Sequence, residues 1–311
     1  MEKIDKSQWI IRILEKPAEI LAAEELQRVV WPGSETDVVP MHVLVTVAHN
    51  GGIVIGAYPK DRYSPGETQE TSEIGSPLIG FVFGFPGLYF TPDGPRPKHC
   101  SHQLAVLPEY RSMGLGYLLK RAQWQMVRHQ GLDLITWTYD PLLSRNAFLN
   151  IARLGAVCNT YLREAYGDMQ DELNIGLPSD RFQVDWWVNT RRVRSHLSSQ
   201  PRTNLDLNHY LAADAKVVNP STHVKDHWPR PTGLNFPDSP TFELPLLLVE
   251  IPADFQSLRS ADQSLALDWR MSTRVIFETL FAQGYLVTDF IHLRDDSPRS
   301  FYVLSHGEST L

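Results

Sequence analysis

The chain predicts an α/β fold: a mixed, twisted sheet flanked by helices, with a further α/β segment appended at its C-terminal end. Three observations predict it. Hydrophobic residues make up 42% and charged residues 21% of 311 residues, the proportions of an ordinary globular protein. Between residues 99 and 163 the hydrophobic pattern changes from strand-like to helical and back more than once, as layered α/β structure requires. Strand, helix and strand patterns then return after residue 244.

Taken in order, Pro17–Trp31 is expected as the first helix, with Pro17 in its first turn and Ile20, Leu21 and Val29 on one side. His42–Ala48 alternates and is rich in β-formers, and the turn signal His49-Asn50-Gly51-Gly52 and Ile53–Tyr58 follow it, so a hairpin is expected. Pro59–Pro77 reads as a loop, Leu78–Phe85 as a strand, Pro86–Lys98 with its four prolines as a second loop, and His99–Val106 as a strand. Gly114–Gln130 places Leu115, Leu118, Leu119, Ala122, Met126 and Val127 on one helical side, and Gly131 is a fitting stop. Leu132–Tyr139 is a buried-type strand, Arg145–Leu154 a helix closed by Gly155, and Ala156–Arg163 and Arg181–Val188 are strands. Ser198–Pro240 holds six prolines and few apolar residues, which suits a linker or surface arm. A strand (Leu244–Ile251), a helix (Ala261–Gln283) and two strands (Tyr285–Leu293, Phe301–Leu304) complete the chain. These last elements have too little apolar surface for a core alone, so they either join the first sheet or form a small second lobe. The expected domains are 1–190, a linker or arm at 191–240, and the extension 241–311.

A formal net charge of -7 argues against a nucleic-acid partner. Two cysteines, Cys100 and Cys158, fit a reducing compartment and are too few for a zinc cage of thiolates. The charged N-terminal stretch lacks the apolar core of a signal peptide, and the apolar run Leu78–Phe90 is too short to cross a bilayer. A soluble, cytoplasmic protein is expected, with no membrane partner.

The string that carries chemistry is His102–Gly116. Its centre is Arg111-Ser112-Met113-Gly114-Leu115-Gly116, between a strand and a helix. Glycines let the backbone approach a phosphate, the free amides of the first helical turn point at it, and the helix dipole adds attraction. Arg111–Gly116 is therefore a candidate pyrophosphate loop, set against the plainer reading of a tight strand–helix turn. A dinucleotide fold would need another glycine order, and a Walker loop is absent.

This region resembles the GCN5-related N-acetyltransferases, the GNAT superfamily. The likeness runs from about residue 5 to 165 and is sharpest over 102–156. It implies a GNAT-type fold, acetyl-CoA as cosubstrate, and acyl transfer to the amine of a small molecule or amino acid in one ternary complex. It also implies that Arg111, Ser112, Met113, Gly114, Leu115 and Gly116 hold the pyrophosphate, that the backbone of Leu104 and Val106 pairs with pantetheine, and that Asn146 belongs to the cofactor-binding set. The chain departs from the pattern in two places: Ser144 stands where an Asn usually leads, and Ile151 stands where a Tyr usually protonates the leaving thiolate. Tyr139, Tyr161, Tyr166 or solvent would then supply that proton. A non-catalytic acyl-CoA-binding or regulatory protein is the alternative.

His102 is the first candidate for the base, because strict alternation puts it on one face with Leu104 and Val106, and an imidazole titrates near neutrality. Asp140, at the end of the following strand, is the second acid–base candidate, or a turn residue. Lys120, Arg121 and Arg128 are expected either to meet the 3′-phosphate of CoA or to face solvent. No metal is expected. His99 and His102 diverge, and His223 and His227 lie in a proline-rich segment. Trp186, Trp187 and the Arg191–Arg194 run are read as a solvated surface. The oligomeric state is left open, a homodimer included.

Overall fold

A computed structural model describes residues 8–33, 35–62, 77–167, 176–198, 205–222, 228–234, 244–294 and 297–306. They form two compact units, one up to Trp137 and one from Thr138 onward.

The first unit contains β1 (Trp9–Ile13), α1 (Pro17–Val30), α2 (Met41–His49), β2 (Ile53–Pro59), β3 (Gly80–Thr91), β4 (Gly94–Val106), α3 (Leu115–His129) and the start of β5 (Leu134–Tyr139). The strands are ordered β1-β2-β3-β4-β5. The first four pair antiparallel and β5 joins β4 in parallel, so the sheet is mixed as expected. Phe81, Phe83 and Ala105 point to one face and pack with Ile20, Ala23 and Leu26 of α1 and Leu44 of α2. The alternate residues face α3; a Cβ on Gly80 would meet the side chains of Val106 and Leu119.

The hairpin expected over His42–Tyr58 does not form, because Met41–His49 is helical. Tertiary packing overrides the β-preference of its valines. Leu44 is fully buried, with Val45, Val47 and Ala48 against the same core. The buried Gln27 exchanges hydrogen bonds with the backbone of Val39, and Glu24 accepts from the Met41 amide, so α1 fixes the start of α2.

The loop expected at Pro86–Lys98 is likewise ordered. β3 and β4 pair from Gly80↔Val106 out to Thr91↔Gly94 and make a long ribbon. Its prolines fit because Pro95 and Pro97 lie two apart on β4, opposite Phe90 and Leu88, where neither has to donate to β3. The loop expected at Pro59–Pro77 lies largely outside the described residues.

The second unit opens with α4 (Ser144–Ala147), which runs into a π-helical turn (Phe148–Arg153). It continues through β6 (Val157–Leu162), β7 (Arg181–Trp187), α5 (Arg191–Leu197), α6 (Leu207–Ala212), β8 (Lys216–Val217), β9 (Leu246–Ile251), α7 (Phe255–Ala261), α8 (Gln263–Ala282), β10 (Leu286–His292) and β11 (Ser300–Ser305). Its sheet order is β7-β6-β10-β11-β9-β8, so the C-terminal strands extend the sheet of β6 and β7. Where it is described, the Ser198–Pro240 stretch is not wholly irregular: it contributes α6 and β8.

An aromatic cluster holds α8 to this sheet, with Phe182 4.7 Å from Phe277 and 5.4 Å from Tyr302 between ring centroids. α8 also buries two arginines, each on a carboxylate. Arg270 meets Asp140 at 2.5 Å and Arg274 meets Asp180 at 2.8 Å.

Candidate functional site

The site begins with an irregularity in β4. Phe83 pairs with Gln103 but the next residue, Gly84, pairs with Ser101, so His102 is the extra residue of a bulge. A bulge bends and twists its strand. On the opposite edge of β4, the parallel ladder to β5 consists of His99↔Ile135 and Cys100↔Thr136. From Ser101 to Val106, then, β4 is paired to β3 while its other edge runs on beyond that ladder. Leu104 and Val106 lie on this stretch.

A short 3₁₀ turn (Pro108–Tyr110) follows β4 and leads into the glycine loop. Ser112 has φ 66° and Gly114 has φ 82°. Arg111 before them is extended (φ -67°, ψ 157°), and left-handed residues at the entry to a helix turn the local amides out of the regular ladder, where an anion can meet them. Gly114 is also the N-cap of α3, a position where its lack of Cβ removes the usual cost of that conformation. The α3 ladder opens with Leu118 N–H donating to Gly114 O at 3.1 Å, so the amides just before it lie outside the helical pairing. Arg111 donates from Nε to Val106 O at 3.2 Å and ties the loop to the end of β4. Arg111, Ser112 and Met113 are exposed, Gly114 and Gly116 half-buried, and Leu115 anchors the turn in the core.

The bulge changes the face of His102. Its ring packs on Phe83 and Phe85, with centroids 5.7 and 6.0 Å away. Phe83 belongs to the α1 face, so His102 lies opposite Leu104 and Val106 and not beside them as strict alternation suggests. The side chain is exposed, and the surrounding apolar groups hold its imidazole below its ordinary pKa by desolvation. His99 does diverge from it, toward α3.

That α3 side holds a polar cluster the sequence reading did not find. Lys120 is buried, not on a solvent face. Its Nζ donates to Ser101 Oγ at 2.7 Å and to Gln123 Oε1 at 3.3 Å, and lies 3.6 Å from the centroid of the Trp137 ring. The buried His99 bonds Gln123 through Nε2 at 3.1 Å. Burial lowers the pKa of Lys120 well below its usual value, and burial with the nearby Lys120 lowers that of His99 to about 3. The signal was present in the spacing: Lys120, Gln123 and Val127 follow the i, i+3, i+7 rule of a buried helix face.

In the second unit, Asp140 is a turn residue held in an ion pair. One oxygen accepts from the Leu142 amide at 2.9 Å and the other from Arg270. Asn146 is half-buried in α4. Ser144 is buried and donates to the carbonyls of Pro252 and Ala253. Ile151 is fully buried in the π-helical turn.

Of the three tyrosines considered as proton donors, Tyr139 is buried against Tyr302 (3.1 Å between hydroxyls) and Tyr161 donates to Asp180 at 2.8 Å. Burial pushes both hydroxyls up from their usual pKa. Tyr166 is exposed, with its hydroxyl 2.6 Å from Thr138 Oγ1.

Trp186 is not on a solvated surface. It is fully buried and donates to Leu154 O at 2.8 Å, while Arg192 donates to Gly155 O at 2.9 Å. Both cysteines are free thiols. His223 and His227 lie outside the described residues. Among the described residues, no group of three or more His, Cys, Asp or Glu side chains could hold a metal, and no helix is long and apolar enough to cross a membrane.

No family profile matches the chain, and no curated protein matches it. Solved structures do. A structure of Arabidopsis thaliana NAA60 in complex with acetyl-CoA is 16% identical over 58% of this chain and 99% of that chain, with a TM-score of 0.43. A putative acetyltransferase of the GNAT family from Desulfovibrio desulfuricans is 16% identical over 58% of this chain and 99% of that one, with a TM-score of 0.41. The ribosomal-protein-S18-alanine N-acetyltransferase of Escherichia coli is 14% identical over 63% of this chain and 98% of that one, with a TM-score of 0.39.

Proposed function

We propose that the chain is a GNAT-type N-acyltransferase that takes an acetyl or other short acyl group from CoA to an amine. One observation carries this reading: the Arg111–Gly116 loop, with Ser112 and Gly114 at positive φ, opens α3 directly after the part of β4 that runs beyond its ladder with β5. The loop amides and the α3 dipole suit a pyrophosphate, and the edge of β4 at Leu104 and Val106 offers backbone partners to a pantetheine arm. The acceptor is an amine of a small molecule, amino acid or peptide.

In the reaction, the neutral amine attacks the thioester carbonyl, a C–N bond forms and the C–S bond breaks. The amine loses a proton and the departing thiolate gains one. His102 is the base of this proposal: it is exposed at the bulge, and its lowered pKa keeps it unprotonated at neutral pH. Asp140, committed to Arg270 and the Leu142 amide, is assigned a structural role. Solvent supplies the thiolate proton.

A second reading, an acyl-CoA-binding protein without turnover, is favoured by the buried Ile151 at the acid position. Calorimetric titration with acetyl-CoA tests both. Wild-type binding that Ser112→Asp weakens at least about ten-fold supports the loop assignment, because Asp tolerates a left-handed backbone and sets a carboxylate against the pyrophosphate. Release of free thiol over an amine panel supports the enzyme, and binding without release supports the second reading. Absence of acetyl-CoA binding overturns both.

A further inference from the structure

We propose that Lys120 of α3 is a positioning residue: it fixes the width of the fork between β4 and β5 that receives the acyl-carrying arm of CoA, an inference that rests on the acyl-CoA reading above. The parallel ladder of β4 with β5 stops at Cys100↔Thr136. The next rung would join Ser101 to Trp137, and these are the two residues on which the Lys120 amine is seated. Nζ donates to Ser101 Oγ at 2.7 Å and lies 3.6 Å from the centroid of the Trp137 ring. Both are contact distances. The two side chains therefore cannot meet across this nitrogen, and they cannot separate without breaking a contact.

The amine is itself held in place. It donates to Gln123 Oε1 at 3.3 Å, which leaves Gln123 Nε2 to donate to His99 Nε2 at 3.1 Å. His99 belongs to the ladder, one rung before its end. Its ring fits because Gly84 of β3 has no Cβ; one there would collide with Nε2. Lys120, Gln123 and His99 are all buried. Burying an amine costs free energy that an apolar side chain of the same length does not. What the lysine adds is directed bonds of fixed length where two strands part. The course of the arm follows from the chain. With the pyrophosphate on Arg111–Gly116, an arm running back along β4 passes Val106, then Leu104, and reaches Ser101. That is five residues from Val106, roughly 16 Å at about 3.3 Å per residue. Its thioester end thus arrives at the Lys120 strut and beside His102, the next residue. A further rung at Ser101 and Trp137 would close the fork there, and backbone groups left unpaired favour such closure.

The full chain is titrated by calorimetry with acetyl-CoA and with 3′-phospho-ADP, which carries the pyrophosphate but no arm. Lys120→Met keeps the bulk and removes the donors. It should weaken acetyl-CoA about ten-fold, the loss of one to two hydrogen bonds, and leave 3′-phospho-ADP within about two-fold. Ser101→Ala removes the acceptor alone and should show the same split in smaller degree. The double variant should be no worse than Lys120→Met, because both changes cut one tie. Acetyl-CoA bound by both variants as by the wild type overturns the strut and leaves the acyl-CoA reading intact. Equal weakening of both ligands also overturns it, since a misplaced α3 moves the loop as well. Additive losses in the double variant do the same. Acetyl-CoA binding without any binding of 3′-phospho-ADP overturns it too, because the course of the arm is drawn from the loop. A wild-type chain that binds no acetyl-CoA removes the acyl-CoA reading and the strut together. Should Lys120→Met fail to fold, Ser101→Ala decides alone.

Discussion

Replacing Asp180 by alanine tests how the second unit is held together. The carboxylate is fully buried and accepts from Arg274 Nε and Nη2 at 2.8 Å each, from Tyr161 at 2.8 Å and from the Glu164 amide at 3.0 Å. The alanine leaves three groups without a partner. The guanidinium loses a charge-assisted pair of bonds, about 1.5–3 kcal/mol, and the hydroxyl and amide lose about 1 kcal/mol each. The sum is about 4 kcal/mol, within the range of roughly 3–5 kcal/mol for breaking a buried pair from one side. Equilibrium urea unfolding followed by tryptophan fluorescence at pH 7 measures it, since Trp186 and Trp269 are both buried in this unit. Adding Arg274→Met should recover about half the loss, because the double variant no longer buries an unpaired charge. The pH dependence carries a second signature. Burial pushes the Asp180 carboxyl up, but Arg274, the Glu164 amide and Tyr161 more than offset it, so its folded pKa lies below the ordinary value. Its contribution is complete above the unfolded pKa of about 3.9 and is lost as the pH falls through the folded one; the alanine variant should lack that acid limb. A loss under about 1 kcal/mol at pH 7 would refute the reasoning and mean that water already screens the pair.

Three further outcomes are expected. His102→Ala should lower kcat/KM for acyl transfer by about 10²–10⁴ while leaving acetyl-CoA affinity unchanged, and the acid limb of the wild-type rate profile should have its midpoint below the ordinary histidine value, as the lowered pKa requires. His99 is neutral in the fold down to about pH 3, whereas in the unfolded chain it takes a proton below about 6.5. Stability should thus fall below that pH by up to about 1.4 kcal/mol per unit, and His99→Gln should flatten the decline in acid-unfolding curves. Ser112→Gly should raise stability by about 1 kcal/mol in urea unfolding, since a residue with a Cβ at φ 66° carries a steric cost that glycine does not.

Elements whose local pattern and tertiary role agree were legible from residues alone. α1, α3, β5 and β10 fall close to their expected bounds, and Gly131 ends α3 at φ 76°. The glycine loop was legible for the same reason: backbone freedom is written directly into residue type. What escaped depends on partners distant in sequence. Val43, Val45 and Val47 form a helix because α1 fixes the residues before them. Strict alternation put His102 on the wrong face because nothing in Ser101-His102-Gln103 announces a bulge. Lys120 was expected to meet a phosphate or face solvent, and its burial depends on Ser101 and Trp137, which lie far from it in sequence. The burial of Ile151 and the engagement of Tyr139 and Tyr161 likewise follow from packing that a motif match does not contain.

The β3–β4 ribbon sets how this molecule behaves toward its own copies. It exposes Leu88 and Phe90, the latter 83% exposed, along the single strand β3, an arrangement that in most sequences would invite strand addition from a neighbouring chain and growth of aggregates. Pro95 and Pro97 make it a poor template. Backbone groups two residues apart face one edge, so the edge that should present two N–H donors there presents none. A second chain could cover the aromatic surface but could not zip along the β4 edge at these positions. The residues that made this stretch look like a loop are thus the ones that blunt its β4 edge against strand addition, and restoring both donors with Pro95→Ala and Pro97→Ala should lower the concentration at which the protein stays dispersed.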